Sequence, residues 1–511
     1  MAGSVVGKIL SCVVLIVLCF ILGAQAAESA VLSVAYIAAI VGAVFMLILG
    51  PRCWMLLFLL PPVLGVLPLP DSLKTIAMQF LVAPVILAYW IAMWAMGYVK
   101  IRWRSLLLLD LLIFLVVVFL FAAYLKNPVS IAVLGLDTDT VGGKVYVAAL
   151  GMIIHYIALS CIPMEYGKLE SVQNWRIWLG LVCVIISTIA GLAGFNGGEE
   201  AMAMSEAMED SRFGAFQRFG SYLGVLLFAH FPLFRFLVNP LLVLGMLVAM
   251  AGIMLSGFRS ALASLGITFF FITCIRKEFV IAVCLALTCY GGLFVLNSDG
   301  GLRSLPLGVQ RALSFVPGLS VDKNISKEAE GSIEWRLEMW QWAMDPRTGF
   351  IKDYVWGDGF GLSASEMQRD ERAVMRGEMY YGDQDSFARR KIWHNMPISL
   401  IQGVGYVGLA VSACCIIYTC LLAFRVCCSL RGTRLFVPAL VLLMPSATIL
   451  VLFPVHAGNE VTFMNFLANS ALVKLLFCEA RERGLIIPWM QRKYYVPKMI
   501  QEHGDQLKPA A

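Results

Sequence analysis

The stretch LLLLDLLIFLVVVFLFAAYL, residues 106–125, decides the class of fold. It holds a single charged residue, Asp110, and about 20 apolar residues suffice for a helix to cross the ~30 Å hydrocarbon core of a bilayer. Similar stretches recur along nearly the whole chain, which is 60% hydrophobic and 14% charged over 511 residues. Because a soluble protein of this length exposes far more charge, the sequence predicts an all-α, polytopic membrane protein.

Hydropathy predicts about fourteen transmembrane helices joined mostly by short loops. The segment at 53–69 is short, and Pro61, Pro62 and Pro68 predict that it is kinked or re-entrant. The predicted spans are 5–24, 30–49, 53–69, 76–98, 106–125, 144–163, 176–195, 219–234, 238–256, 260–275, 278–296, 398–424, 435–455 and 462–478.

The first apolar stretch is open to two interpretations. Lys8, the apolar run at 9–22 and Ala24-Gln25-Ala26 match the pattern of a cleaved signal peptide. The same residues also match an uncleaved first helix, which is the interpretation that agrees with the orientation inferred for the other spans.

The distribution of Lys and Arg predicts the orientation of the chain. Basic residues occupy alternate short loops and the tail at 481–511, and cytoplasmic loops collect such residues, so both termini are predicted to be cytoplasmic. An acidic loop at 196–217 and a long hydrophilic segment at 297–395 then fall on the outer side. The basic loop residues are Arg52, Lys100, Arg102, Arg104, Lys168, Arg176, Arg276, Lys277, Arg425, Arg431 and Arg434.

Four regions follow from this pattern. We expect transmembrane helices 1–11 within residues 1–296, an outer loop at 297–396, helices 12–14 within 397–480, and a basic tail at 481–511. The outer loop contains IEWRLEMWQWAM at 333–344, which predicts a helix with three tryptophans at the membrane interface. A loop of this size with helical content predicts a partly helical cap over an active site.

Neither a metal, a cofactor nor a nucleic acid is expected. All fourteen cysteines lie in or beside apolar stretches, and no Cys/His cluster has the spacing of a zinc site. The net charge of +6 is carried by membrane-flanking loops and the tail, a distribution that membrane orientation explains.

His394-Asn395, at the junction between the outer loop and the next span, is the first candidate for catalysis. A histidine at the outer end of a membrane helix is suited to act as a general base near neutral pH. The structural alternative is that His394 caps the start of the helix, with Asn395 as a helix-start residue. Gly405 and Gly408 follow on the same helix, and a glycine pair at this spacing allows another helix or a lipid chain to approach closely.

Three arginines are candidates for binding an anion. Arg259 lies at the outer end of a span, where a cation is costly unless paired, although it is also placed to reach lipid headgroups. Arg212 lies at the end of the acidic loop, and the alternative to anion binding is a salt bridge with Glu209 or Asp210. Arg336 lies in the tryptophan-rich segment of the outer loop. Guanidinium groups bind phosphate bidentately, which favours a diphosphate clamp.

Together these motifs resemble the O-antigen ligase and O-antigen polymerase superfamily. The histidine signature is the most specific element, and the resemblance covers about residues 180–460. It departs from the family at Gly220-Ser221, where relatives often have Pro-Asn, and before Trp356, where a proline is missing. The matching segments are Arg212-Phe213-Gly214, Ser256 to Leu262, Arg336 with Trp340, Trp356 to Gly361, and His394-Asn395 with Gly405 and Gly408.

The resemblance implies an inverting glycosyltransferase on the periplasmic face of the bacterial inner membrane. Its donor would be a glycan on undecaprenyl pyrophosphate, and its acceptor a hydroxyl of lipid A–core or of another lipid-linked glycan. His394 would be the base, Asn395 would orient it, and Arg259, Arg212 and Arg336 would stabilise the leaving diphosphate without a metal. Ligase and polymerase remain equally open.

Two other classes compete with the enzyme. A lipid-linked oligosaccharide flippase or other transporter would place ionisable groups at the membrane midplane within repeated halves. The mid-span ionisable residues found by hydropathy are few (Asp110, His155 and His230), and no repeat is visible. A non-catalytic scaffold would not need arginines beside a histidine at one rim.

The orientation generates the first testable prediction. Ser326 lies in the predicted outer loop and Gly432 in a predicted cytoplasmic loop. Single cysteines introduced at these positions should be labelled from opposite sides of the membrane by an impermeant thiol reagent. A background variant without the native cysteines serves as the control, and labelling of both positions from the same side would contradict the orientation.

Overall fold

The structure is a computed structural model, and every regular element in the part that it describes is helical. It describes residues 48–64, 79–129, 143–161, 166–192, 214–298, 300–362, 366, 368, 372, 375–376, 387–388, 391, 393–454 and 460–486. The all-α prediction is confirmed for these residues. The first predicted span, most of the second, the question of a signal peptide and most of the basic tail lie outside the described residues.

Fifteen α-helices and several short 3₁₀ turns follow one another along the described chain. The helices are α1 (Leu56–Leu64), α2 (Gln79–Ala95), α3 (Leu107–Lys126), α4 (Lys144–Cys161), α5 (Tyr166–Leu192), α6 (Gly214–His230), α7 (Phe234–Val238), α8 (Pro240–Leu255), α9 (Arg259–Arg276), α10 (Phe279–Ser298), α11 (Leu307–Leu313), α12 (Lys323–Met344), α13 (Met396–Ser429), α14 (Phe436–Leu452) and α15 (Glu460–Glu482).

Five of these helices, namely α3, α5, α9, α10 and α13, are long and apolar enough to cross a membrane. Four shorter helices, α2, α4, α8 and α14, are also apolar. Large apolar side chains point outward from the bundle, with Leu107 83%, Leu241 74% and Val280 78% exposed, as expected of a surface that meets lipid. The structure therefore supports a helical membrane bundle, while the total of about fourteen spans stays a prediction.

The bundle packs around α13. This helix contacts α3, α14 and α15, while α15 packs on α4, and α6 packs on α5, α8 and α9. Glycines bring α6 and α8 close together, because a Cβ atom at Gly220 would collide with the backbone of Ala249 and Ile253. Gly220 thus has a packing role at the position where the resemblance departs from Pro-Asn.

Contacts at the two ends of α3 define two faces of the bundle. Lys126 and Asn127, at its C-terminal end, bond to the segment at 353–361, and we call this end the loop face. At the other end, Arg481 of α15 donates to the carbonyl of Ser105, and we call this end the tail face. Because α3 has 20 residues, the two faces are about 30 Å apart.

A buried ion pair joins three helices near the tail face. The ammonium of Lys474, whose residue is 1% exposed, lies 2.5 Å from Oδ1 of Asp110 and 2.8 Å from Oγ of Ser160. The hydroxyl of Tyr156 donates to the same Asp110 oxygen at 2.6 Å, and the ammonium also lies 4.6 Å from the ring centroid of Trp103. Asp110 is thus fully engaged in joining α3, α4 and α15.

Two helices begin earlier than the hydropathy pattern predicted. α5 begins at Tyr166, so Arg176 lies inside a membrane helix and not in the loop before it. α12 begins at Lys323, and its N-terminal turn is capped by Asp322, whose carboxylate accepts from the amide of Asn324 at 2.8 Å. Hydropathy missed both starts because the first turns of these helices are polar.

Candidate functional site

His394 lies on the loop face, directly before α13, in an unusual backbone conformation. Its φ of 46° is in the left-handed region, which non-glycine residues adopt rarely and often at functional sites. Its half-buried ring packs between two aromatic rings, with centroids 5.9 Å from Trp335 and 5.2 Å from Phe387. The imidazole is therefore held by both backbone and side-chain packing.

Asn395 caps α13. Its Oδ1 accepts a hydrogen bond from the amide of Ile398 at 3.0 Å, and its Nδ2 donates to the carbonyl of Pro454, at the end of α14, at 3.1 Å. The residue is 3% exposed. Because both polar groups of this side chain are engaged, the geometry gives Asn395 a structural role at the start of α13, directly after His394.

Burial lowers the pKa of His394, and the nearby guanidinium of Arg336 lowers it further. Removal from water disfavours the charged imidazolium, and a neighbouring cation disfavours it too. A histidine with a pKa below its usual range is neutral near pH 7. His394 is therefore in the protonation state that can accept a proton.

Arg336 lies close enough to His394 to act on it electrostatically, because α12 packs over the start of α13. The Nε1 of Trp340 donates to the carbonyl of Trp393 at 2.9 Å, one residue before His394. Trp393 is fully buried in a small apolar cluster with Met339 and other residues of α12 and α13. The predicted helix at 333–344 is thus present, and its tryptophans pack against the protein around His394.

The segment Asp353–Gly361 docks onto a break in α13. The helix is interrupted at Gly405, where φ is 72° and ψ is −179°. The amides of Asp358 and Gly359 donate to the carbonyls of Gln402 and Gly403, at 2.6 and 3.1 Å. On the other side of the break, the amide of Tyr406 donates to the carbonyl of Tyr354 at 2.8 Å. The backbone groups freed by the break are therefore paired.

Glycine is required on both sides of this contact. A Cβ atom at Gly405 would overlap the carbonyl of Val355, and one at Gly357, where φ is 78°, would overlap the backbone at Gly403–Gly405. A Cβ atom at Gly359 would overlap the carbonyl of Ala123 in α3, whereas Gly357 brings the Trp356–Gly361 turn against the backbone of α13. This close approach also explains the glycine at 405.

Gly408 faces α3. A Cβ atom there would overlap the side chain of Val404, one turn earlier in α13, and would lie 3.7 Å from the ring of Phe119 in α3. The gap beside it has a volume of only about 10 Å³. A gap of this size holds at most one water molecule. Gly408 thus serves helix packing, and neither glycine of the predicted pair faces a groove wide enough for a lipid chain.

Side chains from α3 and α4 hold the docked segment. The ammonium of Lys126 lies 2.6 Å from Oδ2 of Asp353 and 2.5 Å from the carbonyl of Gly357, and hydrogen bonding to it lowers the pKa of Asp353. Asn127 donates to the carbonyl of Phe360 at 3.1 Å, and the hydroxyl of Tyr146 accepts from its amide at 3.0 Å. Sequence reasoning missed these anchors; their signal is a Lys-Asn pair at the end of a span.

Arg259 lies on the loop face, at the first residue of α9. Gly257, with φ of 69°, makes the turn before it. At the opposite end of α9, the guanidinium of Arg276 packs over Phe436 at the start of α14. The other end of α14 lies beside Asn395, so α9 begins at the end of the bundle that holds Asn395. Because α9 also contacts α13, Arg259 and His394 lie at the same end of adjacent helices.

Arg212 lies outside the described residues. The helix that follows it, α6, begins at Gly214, and its first turns pack against the last turns of α8 through Gly220 and Gly252. Arg259 follows α8 after a turn of three residues. The chain therefore enters α6 at the same end of the bundle as Arg259.

The described residues contain no group of three or more His, Cys, Asp or Glu side chains arranged to hold a metal ion. Neither a family model nor a curated protein sequence matches the chain. The resemblance to O-antigen ligases and polymerases accordingly depends on the motifs and on the placement of their residues.

The docked segment generates the second prediction. Gly405→Ala should lower the melting temperature of the purified protein, because the left-handed backbone alone costs about 1–3 kcal/mol and the added methyl group overlaps Val355. Limited proteolysis should then cut within 353–361. Gly291→Ala in α10 is the matched control, since a methyl group added there would meet no atom within 4 Å. Equal melting temperatures for the two variants would contradict the docking.

Proposed function

We propose that the protein is an inverting glycosyltransferase of the bacterial inner membrane that works at the loop face. It transfers a glycan from undecaprenyl pyrophosphate to a hydroxyl of lipid A–core or of another lipid-linked glycan. The loop face is periplasmic and both termini are cytoplasmic. The observation that carries the proposal is the position of His394 at the loop face, where its half-buried imidazole lies between two aromatic rings and near the cation Arg336.

His394 is the general base of the proposed reaction. It accepts the proton of the acceptor hydroxyl while the oxygen attacks the anomeric carbon of the donor glycan. The bond from that carbon to the diphosphate oxygen breaks, and its electron pair leaves with undecaprenyl pyrophosphate. Attack from the side opposite the leaving group inverts the anomeric configuration.

Arg336, Arg259 and Arg212 are proposed to bind the diphosphate. Arg336 is the best supported, because it acts electrostatically on His394. Arg259 shares the loop face with His394, and Arg212 precedes α6, whose first turn lies at that same end of the bundle. Guanidinium groups stabilise the negative charge that develops on the leaving group, so the proposed reaction needs no added metal.

Transport of a lipid-linked glycan is the second candidate function. One observation favours it, because the cation Arg176 and the buried His155 line a cavity between the helices, whereas hydropathy had left few ionisable groups inside the spans. A transporter, however, needs no base beside a docked cap. The two functions differ in their dependence on His394.

His394→Asn tests the proposed reaction directly. Loss of a positioned general base should lower the rate of glycan transfer roughly 10²–10⁴-fold, while binding of the lipid-linked donor changes little. The measurement is transfer by purified protein in nanodiscs, with a chelator present and rates normalised to folded protein. Trp340→Phe, which removes a nearby indole donor but no titratable group, is the control for local packing. Wild-type turnover in His394→Asn would exclude the base.

Arg336→Gln tests the electrostatic contact. The cation disfavours the imidazolium, so its removal should raise the pKa of His394 and move the acid limb of the kcat/KM profile to higher pH. Transfer would then be lost earlier on acidification. Arg347→Gln is the matched control, because Arg347 follows the same helix, is 91% exposed and pairs with Asp345. An acid limb that is identical in Arg336→Gln and wild type would contradict the contact.

A further inference from the structure

A second polar cavity lies between helices that do not hold His394. It has a volume of about 380 Å³ and is walled by α1, α4, α5, α6 and α15. Part of its wall is apolar, with Leu57 and Phe58 of α1 and Leu472 of α15. The rest is polar, and none of the described lining residues is an aspartate or a glutamate.

One face of α5 supplies most of the polar wall. Arg176, Gly180, Val184 and Thr188 follow one another at intervals of four residues and all line the cavity. Arg176 is ten residues after the start of α5 and therefore about 15 Å along its axis. It lies within the candidate membrane span at 168–190, where a cation is costly unless an anion compensates it.

Within the residues that the structure describes, the hydrogen bonding of Arg176 does not provide that compensation. Its Nη1 lies 3.4 Å from Oε1 of Gln173, which is a neutral acceptor at a long distance. A second cation, Arg218 of α6, lines the same cavity. Tyr222, one turn after Arg218, donates its hydroxyl to the carbonyl of Ile177 at 3.0 Å and so fixes α6 beside Arg176.

A buried histidine forms another part of the wall. His155 of α4 lines the cavity and is only 6% exposed. Its Nδ1 has no hydrogen-bond partner within the described part of the chain, but this atom has almost no accessible surface and does not open into the cavity. The groups that the cavity offers to a ligand are therefore the two arginines, with Ser187, Thr188 and Tyr222 beside them.

We infer that this cavity binds the phosphate group of an amphiphile, with Arg176 and Arg218 as the cationic partners. Guanidinium groups favour phosphate oxygens, which present several acceptors to a planar fork. The apolar wall from α1 and α15 favours a ligand that also carries a hydrocarbon chain. The site is separate from the proposed transfer reaction and does not depend on it.

The test is the melting temperature of the full-length protein in detergent. A ligand that binds the folded state raises this temperature as its concentration rises. The probes are dioctanoyl phosphatidic acid, dioctanoylglycerol with the same chains, and inorganic diphosphate. We expect phosphatidic acid to stabilise wild type and dioctanoylglycerol to have no effect. Stabilisation by inorganic diphosphate alone would support the same site with a free phosphate compound as its ligand.

Variants separate the cavity from general charge effects. Arg176→Met should lose the shift with phosphatidic acid, while Arg235→Met, which removes an exposed arginine from α7, should keep it. Val184→Trp keeps both cations but fills the cavity, and it should also lose the shift, so the test does not depend on the folding of Arg176→Met. An unchanged shift in Arg176→Met or Val184→Trp, or equal stabilisation by dioctanoylglycerol, would overturn the inference.

Discussion

A helix that is interrupted at membrane depth leaves amide and carbonyl groups without partners, and the structure around His394 follows from that constraint. In α13 the interruption is at Gly405, and the backbone of the segment Asp353–Gly361 pairs the exposed groups. Unpaired backbone groups in a lipid environment cost several kcal/mol each, so the break and the docked segment depend on each other. The outer loop is thereby tied to the bundle through α13, and Lys126 strengthens the connection from α3.

This connection explains how a loop residue meets the start of a membrane helix with a defined geometry. Asn395 fixes the first turn of α13 to the end of α14, while Trp340 of α12 bonds to the residue before His394. His394 lies between these two attachments in a left-handed conformation. A strained backbone persists only where the surroundings determine it from both sides, and both attachments are present here. The lowered pKa of its ring thus results from the packing around it and from Arg336, and not from the histidine alone.

The sequence predicted those features that depend on local pattern. Apolar length located α3 and α9 to within one or two residues, and the tryptophans at 335 and 340 indicated an ordered outer helix. The sequence placed Arg176 in a loop, because in a hydropathy profile the polar first turn of α5 looks like a loop between two spans. The partnership between Gly405 and the Trp356–Gly361 turn was also missed. The two segments are far apart in sequence, and glycine spacing alone cannot distinguish a helix partner from a loop backbone.

Lys474 and Arg176 are two cations among the helices that differ in how their charge is compensated. The ammonium of Lys474 is surrounded by the carboxylate of Asp110, the hydroxyl of Ser160 and two aromatic rings, so its charge is compensated. Its role in joining three helices is sufficient to explain why a lysine is at this position. Arg176 has a neutral amide at 3.4 Å and a cavity in front of it. Breaking a buried pair costs about 3–5 kcal/mol because one charge is left alone, and the same physics makes an uncompensated cation unfavourable in the folded state. Within the described part of the chain, Arg176 lacks the compensation that Lys474 has, and this difference is the reason for proposing an anion in the cavity beside it.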